Sequence, residues 1–265
     1  MLSFSIGVLP FIYLGVQMFK GKPKTIHFQN IADRIRVKLA AWKASLLSIV
    51  GRVLMVKSVI QSMLLHSILI YNWPASIIKQ IEGWIRNFIR SGDINKRKMV
   101  TVAWHKCCKP FAEGGLGLRS ITKLNEASNM KLCWEMLTSD EDWCKLIRSR
   151  VLRGARQERQ IQHHVFSSIW SGIKHKFQEI QFHSAWMIGK GDKISFWSDN
   201  WTSQVLADHF QIPDWIRLHL KASVKDFIHN HQWCIPVDLQ DMFPDLLNLI
   251  SKIQIPMMEC EDERV

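Results

Sequence analysis

Apolar side chains between Phe28 and Gly92 recur at helical spacing in three successive blocks, each stopped by residues that a helix tolerates poorly. In the first, Ile31, Ile35, Leu39, Trp42 and Leu46 follow at steps of four, four, three and four, which places them on one stripe of a helix beginning near Phe28. Arg34 and Lys38 lie one turn apart on another face of it. The second block, Val53, Val56, Ile60, Met63, Leu64 and Ile68, predicts a helix over 51–70. It ends by Trp73–Pro74, since a residue before proline is pushed out of the α region. The third, Ile77, Ile81, Trp84, Ile85 and Phe88, stops at Ser91–Gly92–Asp93. Three amphipathic helices on short joints hide their stripes most simply against one another, so this stretch predicts a small bundle.

The flanks are less regular. Residues 11–19 are rich in β-branched and aromatic side chains broken by Gly15, which predicts a short strand with little before it to pair with. After the bundle come a basic loop, Asn95–Lys96–Arg97–Lys98, a strand-like "MVTVAW" and the turn-rich "CCKPFAEGGLGLRS". Helices are predicted over 120–138 and 141–152. The run "RGARQERQIQHH" at 153–164 is nearly free of apolar residues and reads as a linker or boundary. "WMIGKGDKISFW" reads as a β-hairpin, two apolar runs around Gly189–Lys190–Gly191–Asp192. The expected class is therefore mainly α (α+β): an N-terminal strand, a three-helix bundle, then a mixed helical region with a small β-hairpin.

Charge is unevenly spread along the 265 residues: 1–110 hold 17 Lys+Arg against 3 Asp+Glu, whereas 161–265 hold 9 against 13. A basic front of that kind favours a polyanion, RNA or DNA, over a membrane surface, because no long basic amphipathic helix accompanies it. The blander alternative is a solvated basic face. The first nineteen residues are uncharged but lack the early positive charge of an export signal and are interrupted by Gly7 and Pro10. The apolar run from Ser58 to Ile78 has the length of a membrane span, yet it carries Gln61, His66, Asn72 and Pro74 and is read as buried helix. Six irregularly spaced cysteines point to an intracellular protein with reduced thiols.

No catalytic centre is visible. Gly114–Gly115–Leu116–Gly117 is either a structural turn or a place where backbone N–H groups meet a phosphate. It fails the dinucleotide pattern, with Ser120 where a third glycine would stand. His105, Cys107 and Cys108, and His229, His231 and Cys234, lack paired zinc-finger spacings. Two-metal phosphoryl chemistry needs grouped carboxylates, but the chain has no Asp–Asp pair. Asp140–Glu141–Asp142 reads as the acidic start of a helix. Of the twelve tryptophans, Trp42, Trp84 and Trp134 fall on helical stripes, while Trp197 and Trp201 either close a turn or stack on a base.

The ordered motifs "YLGV", "FKGKPK", "IADRI", "KLAAWK", "LLSIVGRVLMVKSVI", "YNWP", "WIRNFI", "GGLGLRS" and "LCWE", then "SSIWSGI" and "WMIGKGDKISFWSDNW", span about residues 9 to 201. Together they resemble the segment after the polymerase palm in plant LINE-type (non-LTR) retrotransposon reverse transcriptases. The resemblance implies that Phe11 to Leu14 is a palm edge strand and that the bundle is the polymerase thumb, which grips a template–primer duplex. It divides the chain into 1–24 (palm edge and basic loop), 25–93 (thumb-like bundle), 94–160 (connecting helical region) and 161–265 (the approach to a zinc-binding module). The family's Tyr/Phe-x-Asp-Asp magnesium motif and its Cys-x2-Cys…His…Cys zinc cluster do not occur in this sequence, so no cofactor is expected in this chain. Gln17 stands where the family usually has Pro, and Arg90 where it often has Trp.

Two functional readings follow. In the first, a truncated reverse transcriptase product binds RNA or an RNA–DNA hybrid non-specifically, without catalysis. Its phosphate contacts are Lys20, Lys22, Lys24, Arg34, Lys38, Lys43, Arg52, Lys57, Lys96, Arg97 and Lys98, and no membrane is involved. In the second, the chain is a structural or interaction protein that associates through exposed apolar edges. An enzyme would need a partner to supply the palm.

Overall fold

The computed structural model describes residues 8–42, 46–99, 102–151, 168–258 and 260–265, which are mainly helical with a few short antiparallel strand pairs. The chain divides into two compact units, residues 1–133 with 165–176 and residues 134–164 with 177–265. The polar run at 153–164 lies outside the described residues.

In the first unit the apolar start is a hairpin, not a lone strand. β1 (Phe11–Tyr13) pairs antiparallel with β2 (Val16–Met18), Phe11 opposite Met18. Leu14 and Gly15 join them with φ of 48° and 80°, the twist-matched two-residue turn. The expected single strand thus has its partner within five residues, because Gly15 takes the left-handed conformation that reverses the chain.

α1 (Thr25–Ala41) buries Phe28, Ile31, Ala32, Ile35 and Leu39, as the stripe predicts, but ends a turn early at an extended Trp42. Trp42 still packs on Phe88, ring centroids 5.5 Å apart, whereas Leu46 is 80% exposed and leaves the stripe. α2 (Ile49–Ile68) is capped by Ser48, whose Oγ accepts the Gly51 N–H at 3.2 Å, and contains a π-helical stretch, Val56–Ile60. Val53, Val56, Ile60, Leu64 and Ile68 face the core, while Ile49, Val50 and Leu54 are exposed. Among the described residues α2 alone is long and apolar enough to cross a membrane, by length and composition only. The run 58–78 is therefore not one buried helix; it is the end of α2, a Tyr71–Trp73 connection and the start of α3 (Ala75–Ser91). α3 buries Ile77, Ile78, Ile81, Ile85, Phe88 and Ile89. It stops at Gly92, whose φ of 79° sends its N–H back to the Phe88 carbonyl at 2.9 Å. The bundle is there as predicted.

Beyond it, the described residues of "MVTVAW" form no strand. Trp104–Cys107 is a helical turn, and the Val102 carbonyl is taken by Arg90 Nη2 at 2.7 Å. α4 (Ile121–Thr138) and α5 (Asp142–Val151) agree with the helices predicted over 120–138 and 141–152.

The second unit has its own core, centred on Ile194, Phe196, Trp197, Trp201, Val224 and Phe227. The expected hairpin at 186–197 does not form. β3 (Trp186–Met187) pairs instead with β6 (Glu263–Arg264). The reason lies in the glycine loop, which wraps an acid rather than turning back: Asp262 accepts the N–H groups of Gly189, Gly191 and Lys193. Beside it Lys190 and Lys193 each reach Glu261 at 2.8 Å, and these bonds hold the Glu261 carboxyl down to about 2. The hairpin of this unit is elsewhere, β4 (Ile228–His229) with β5 (Gln232–Trp233) around Asn230 and His231, both at positive φ.

Candidate nucleic-acid interface

The packing of α1 decides which of its cations meet solvent. With Ile31, Ile35 and Leu39 inward, Arg34 and Lys38 are exposed, and so is Arg36. Lys20, Lys22 and Lys24 are exposed on the segment that enters α1. That segment is anchored at both sides: Phe19 is buried, and its ring stacks on His27 at 3.8 Å. The His27 Nδ1 accepts the Lys24 N–H at 3.1 Å, which assigns the ring proton to Nε2. Burial, then the neighbouring Lys24 charge, lowers the His27 pKa from 6.5.

Lys96, Arg97 and Lys98 are exposed on a loop whose root is fixed. Asn87 Nδ2 donates to the Ile94 carbonyl at 2.8 Å, Ile94 is buried, and the Asp93 carboxylate accepts the Asn95 N–H at 2.8 Å. Arg52 and Lys57 differ, being half-buried. Arg52 Nη1 donates to the Ile89 carbonyl at 3.1 Å and ties α2 to α3, while Lys57 Nζ sits 4.8 Å from the centre of the Phe111 ring. Lys43 lies outside the described residues.

Two neighbours escaped the sequence reading. Lys174 and His175 line a polar pocket of about 270 Å³ together with Lys22 and Asn72. Asn72 is held there by the side-chain amides of Asn125 and Asn129, which donate to its Oδ1 at 2.9 and 3.0 Å. No motif marks this grouping, because its members come from three distant stretches of chain. Counted by unit, the first unit holds 22 Lys+Arg against 5 Asp+Glu, a net +17, and the second 13 against 18, a net −5. The polarity of charge coincides with the structural division.

The glycine-rich turn is structural. Its N–H groups are engaged by its own chain: Gly114 with Phe111 O, Gly115 with Pro110 O, Leu116 with Cys107 O and Gly117 with Lys109 O, at 2.8–3.0 Å. A Cβ on Gly115 would meet the Lys109 carbonyl oxygen at 2.0 Å, so only glycine fits. Trp197 and Trp201 are buried, and Trp201 Nε1 donates to the Phe196 carbonyl at 2.8 Å, so neither ring is free to stack on a base. Among the described residues, no group of three or more His, Cys, Asp or Glu is placed to hold a metal ion. None of the six cysteines is in a disulfide, and burial pushes Cys108 up to about 11, a neutral thiol at pH 7. What this surface can do is attract and hold a polyanion.

The chain is similar to an Arabidopsis thaliana protein described as "Putative ribonuclease H protein", with 30% identity over 180 residues. The match covers 66% of this chain and spans 29% of the length of that relative. No protein-family model and no solved structure matches.

Proposed function

We propose that the chain corresponds to the region following the polymerase palm of a non-LTR retrotransposon reverse transcriptase, and that its basic helical unit holds RNA or an RNA–DNA hybrid through phosphates. Binding is non-specific and involves no catalysis by this chain. The observation that carries the reading is the net +17 of the first unit, with Lys20, Lys22, Lys24, Arg34, Lys38, Lys96, Arg97 and Lys98 all exposed on it. The motif order from "YLGV" to "SFWSDNW" supports the specific origin. A relative named as a ribonuclease H protein is in keeping with a hybrid duplex as partner, since that chemistry acts on RNA paired to DNA. On this reading residues 25–93 serve as thumb and 94–160 as connector, in an intracellular setting where the thiols stay reduced.

Cations that neutralise phosphates release counterions, so affinity falls with salt at a log–log slope of about 0.9 per contact for duplex DNA. The test is binding of the purified chain to a labelled RNA–DNA hybrid across a salt series, beside a variant with Lys96, Arg97 and Lys98 all changed to Ala. The expected result is salt-sensitive binding whose slope is shallower in the variant by about one per lost contact. A soluble, folded chain that binds no hybrid at low salt overturns the reading.

One observation favours a second reading, association through apolar surface. Phe11, Ile12, Tyr13 and Leu14 on the hairpin are exposed, as are Leu46 just before α2 and Ile49, Val50 and Leu54 in its first two turns. Apolar association does not weaken as salt rises, unlike phosphate binding, so sedimentation of the free chain at low and high salt separates the two.

A further inference from the structure

Between the 108–120 loop and the first turn of α4 lies an open cleft of about 530 Å³, within the roughly 300–1,000 Å³ range of small-ligand sites. Pro110, Phe111, Leu118 and Leu124 give it apolar walls, and Arg119 and Lys123 are its exposed cations. Phe111 is the unusual member. Its residue is 66% exposed, yet the ring is closely supported: a Cβ on Gly117 would meet it at 3.0 Å, and Lys57 Nζ lies 4.8 Å from its centre. The turn that presents it is pinned by the Gly114 and Gly115 N–H groups, which bond the carbonyls of Phe111 and Pro110 at 3.0 Å.

None of the lining residues is acidic. Two carboxylates close to it in the chain or across from it are engaged: Glu82 Oε1 accepts from Ser120 Oγ and the Ile121 N–H at 3.3 and 3.0 Å, and Glu113 pairs with Lys109 at 3.1 Å. Because Glu82 occupies the start of α4, the helix end is not itself an anion site. What the cleft offers is a supported aromatic face with cations around it, a combination suited to a base and its phosphate.

We infer that this cleft is a stacking subsite for an unpaired nucleobase of single-stranded RNA or DNA, with the ring on Phe111 and the adjoining phosphates on Arg119 and Lys123. The inference rests on the nucleic-acid reading above and extends it from paired duplex to a single strand. Recognition is tolerant of sequence, since every base has a π face and the loop's N–H groups are engaged elsewhere. Phe111 being largely exposed, its replacement leaves the core of the unit intact.

The experiment uses the full chain and two probes of equal length, a single-stranded oligoribonucleotide carrying 2-aminopurine and a blunt RNA–DNA hybrid. Wild type is expected to quench the 2-aminopurine on binding. Phe111→Ala weakens single-strand binding about 5- to 150-fold and abolishes the quench, Phe111→Trp restores both, and hybrid affinity stays within about twofold. Arg119→Ala with Lys123→Ala lowers the single-strand salt slope. Wild-type binding of both probes with no change in Phe111→Ala overturns the subsite and leaves the phosphate reading standing. So does an equal loss on both probes, which would show that Phe111 acts on something other than a free base. Wild type that binds neither probe overturns both.

Discussion

The carboxylate of Asp262 accepts three backbone N–H groups, from Gly189 and Gly191 at 2.7 Å and Lys193 at 2.9 Å, and the residue is almost fully buried. A Cβ on Gly189 would lie 2.3 Å from the Cys260 carbonyl oxygen, so the close approach of these two segments also requires glycine. Removing the acid leaves three donors without their acceptor. Asp262→Ala is expected to lower stability by about 3 kcal/mol and Asp262→Asn by about half that, since the amide keeps one oxygen but turns N–H toward a donor. Urea unfolding followed by tryptophan emission reads this directly, and an unchanged midpoint in Asp262→Ala would refute the role. His27 carries a pH-dependent counterpart. Its folded pKa is below its ordinary 6.5, so the unfolded chain binds the extra proton first. Stability is therefore fully present above 6.5 and falls as pH drops through that value toward the lowered one. Protonation also removes the acceptor for the Lys24 N–H. In His27→Gln the fall of the urea midpoint between pH 7.5 and 5 is expected to be smaller than in wild type; an equal fall would place the titration elsewhere.

Helices were legible because their evidence is local. The buried set of α1 and α3 repeats at 3.6 residues, and Gly92 stops α3 where its sequence says a helix should stop. Strand partners were not. β3 and β6 are 75 or more residues apart, and Trp186–Met187 has no pattern that distinguishes a partner at Glu263–Arg264 from one at 195. Gly15 and the Asn230–His231 pair turned hairpins that a search for longer alternating runs passes over. The cap of α4 is equally non-local: Glu82 on α3 accepts the N–H groups of Ile121 and Thr122 at 3.0 and 3.4 Å, satisfying donors at the positive end of the helix dipole. Glu82→Ala is expected to cost about 1–2 kcal/mol and to speed amide exchange at Ile121 to Lys123 ahead of the rest of α4. Exchange that is unchanged there would mean Ser120, whose Oγ also accepts the Lys123 N–H, suffices alone.

At the scale of the molecule, the front-to-back charge gradient read from the sequence becomes a division between units, +17 against −5. The candidate surface was legible to that extent, because like charges accumulate wherever they lie. Its detail was not: only packing shows that Arg52 bonds the Ile89 carbonyl and that Lys22 shares a pocket with Lys174 and His175. The division makes a prediction for the intact chain. A polyanion at low salt gathers where potential is positive, so a bound RNA–DNA hybrid should shield lysines of the first unit and leave the second unit open. Lys20, Lys22, Lys24, Lys96 and Lys98 are exposed in one, and Lys221, Lys225 and Lys252 in the other. Acetylation footprinting with and without hybrid should therefore show several-fold protection of the first set and none of the second, vanishing at about 1 M salt as the Debye length shrinks to about 3 Å. Protection spread evenly over both sets would mean the charge division does not direct binding. Protection that survives high salt would point instead to apolar burial, and so to the exposed residues of β1 and the start of α2.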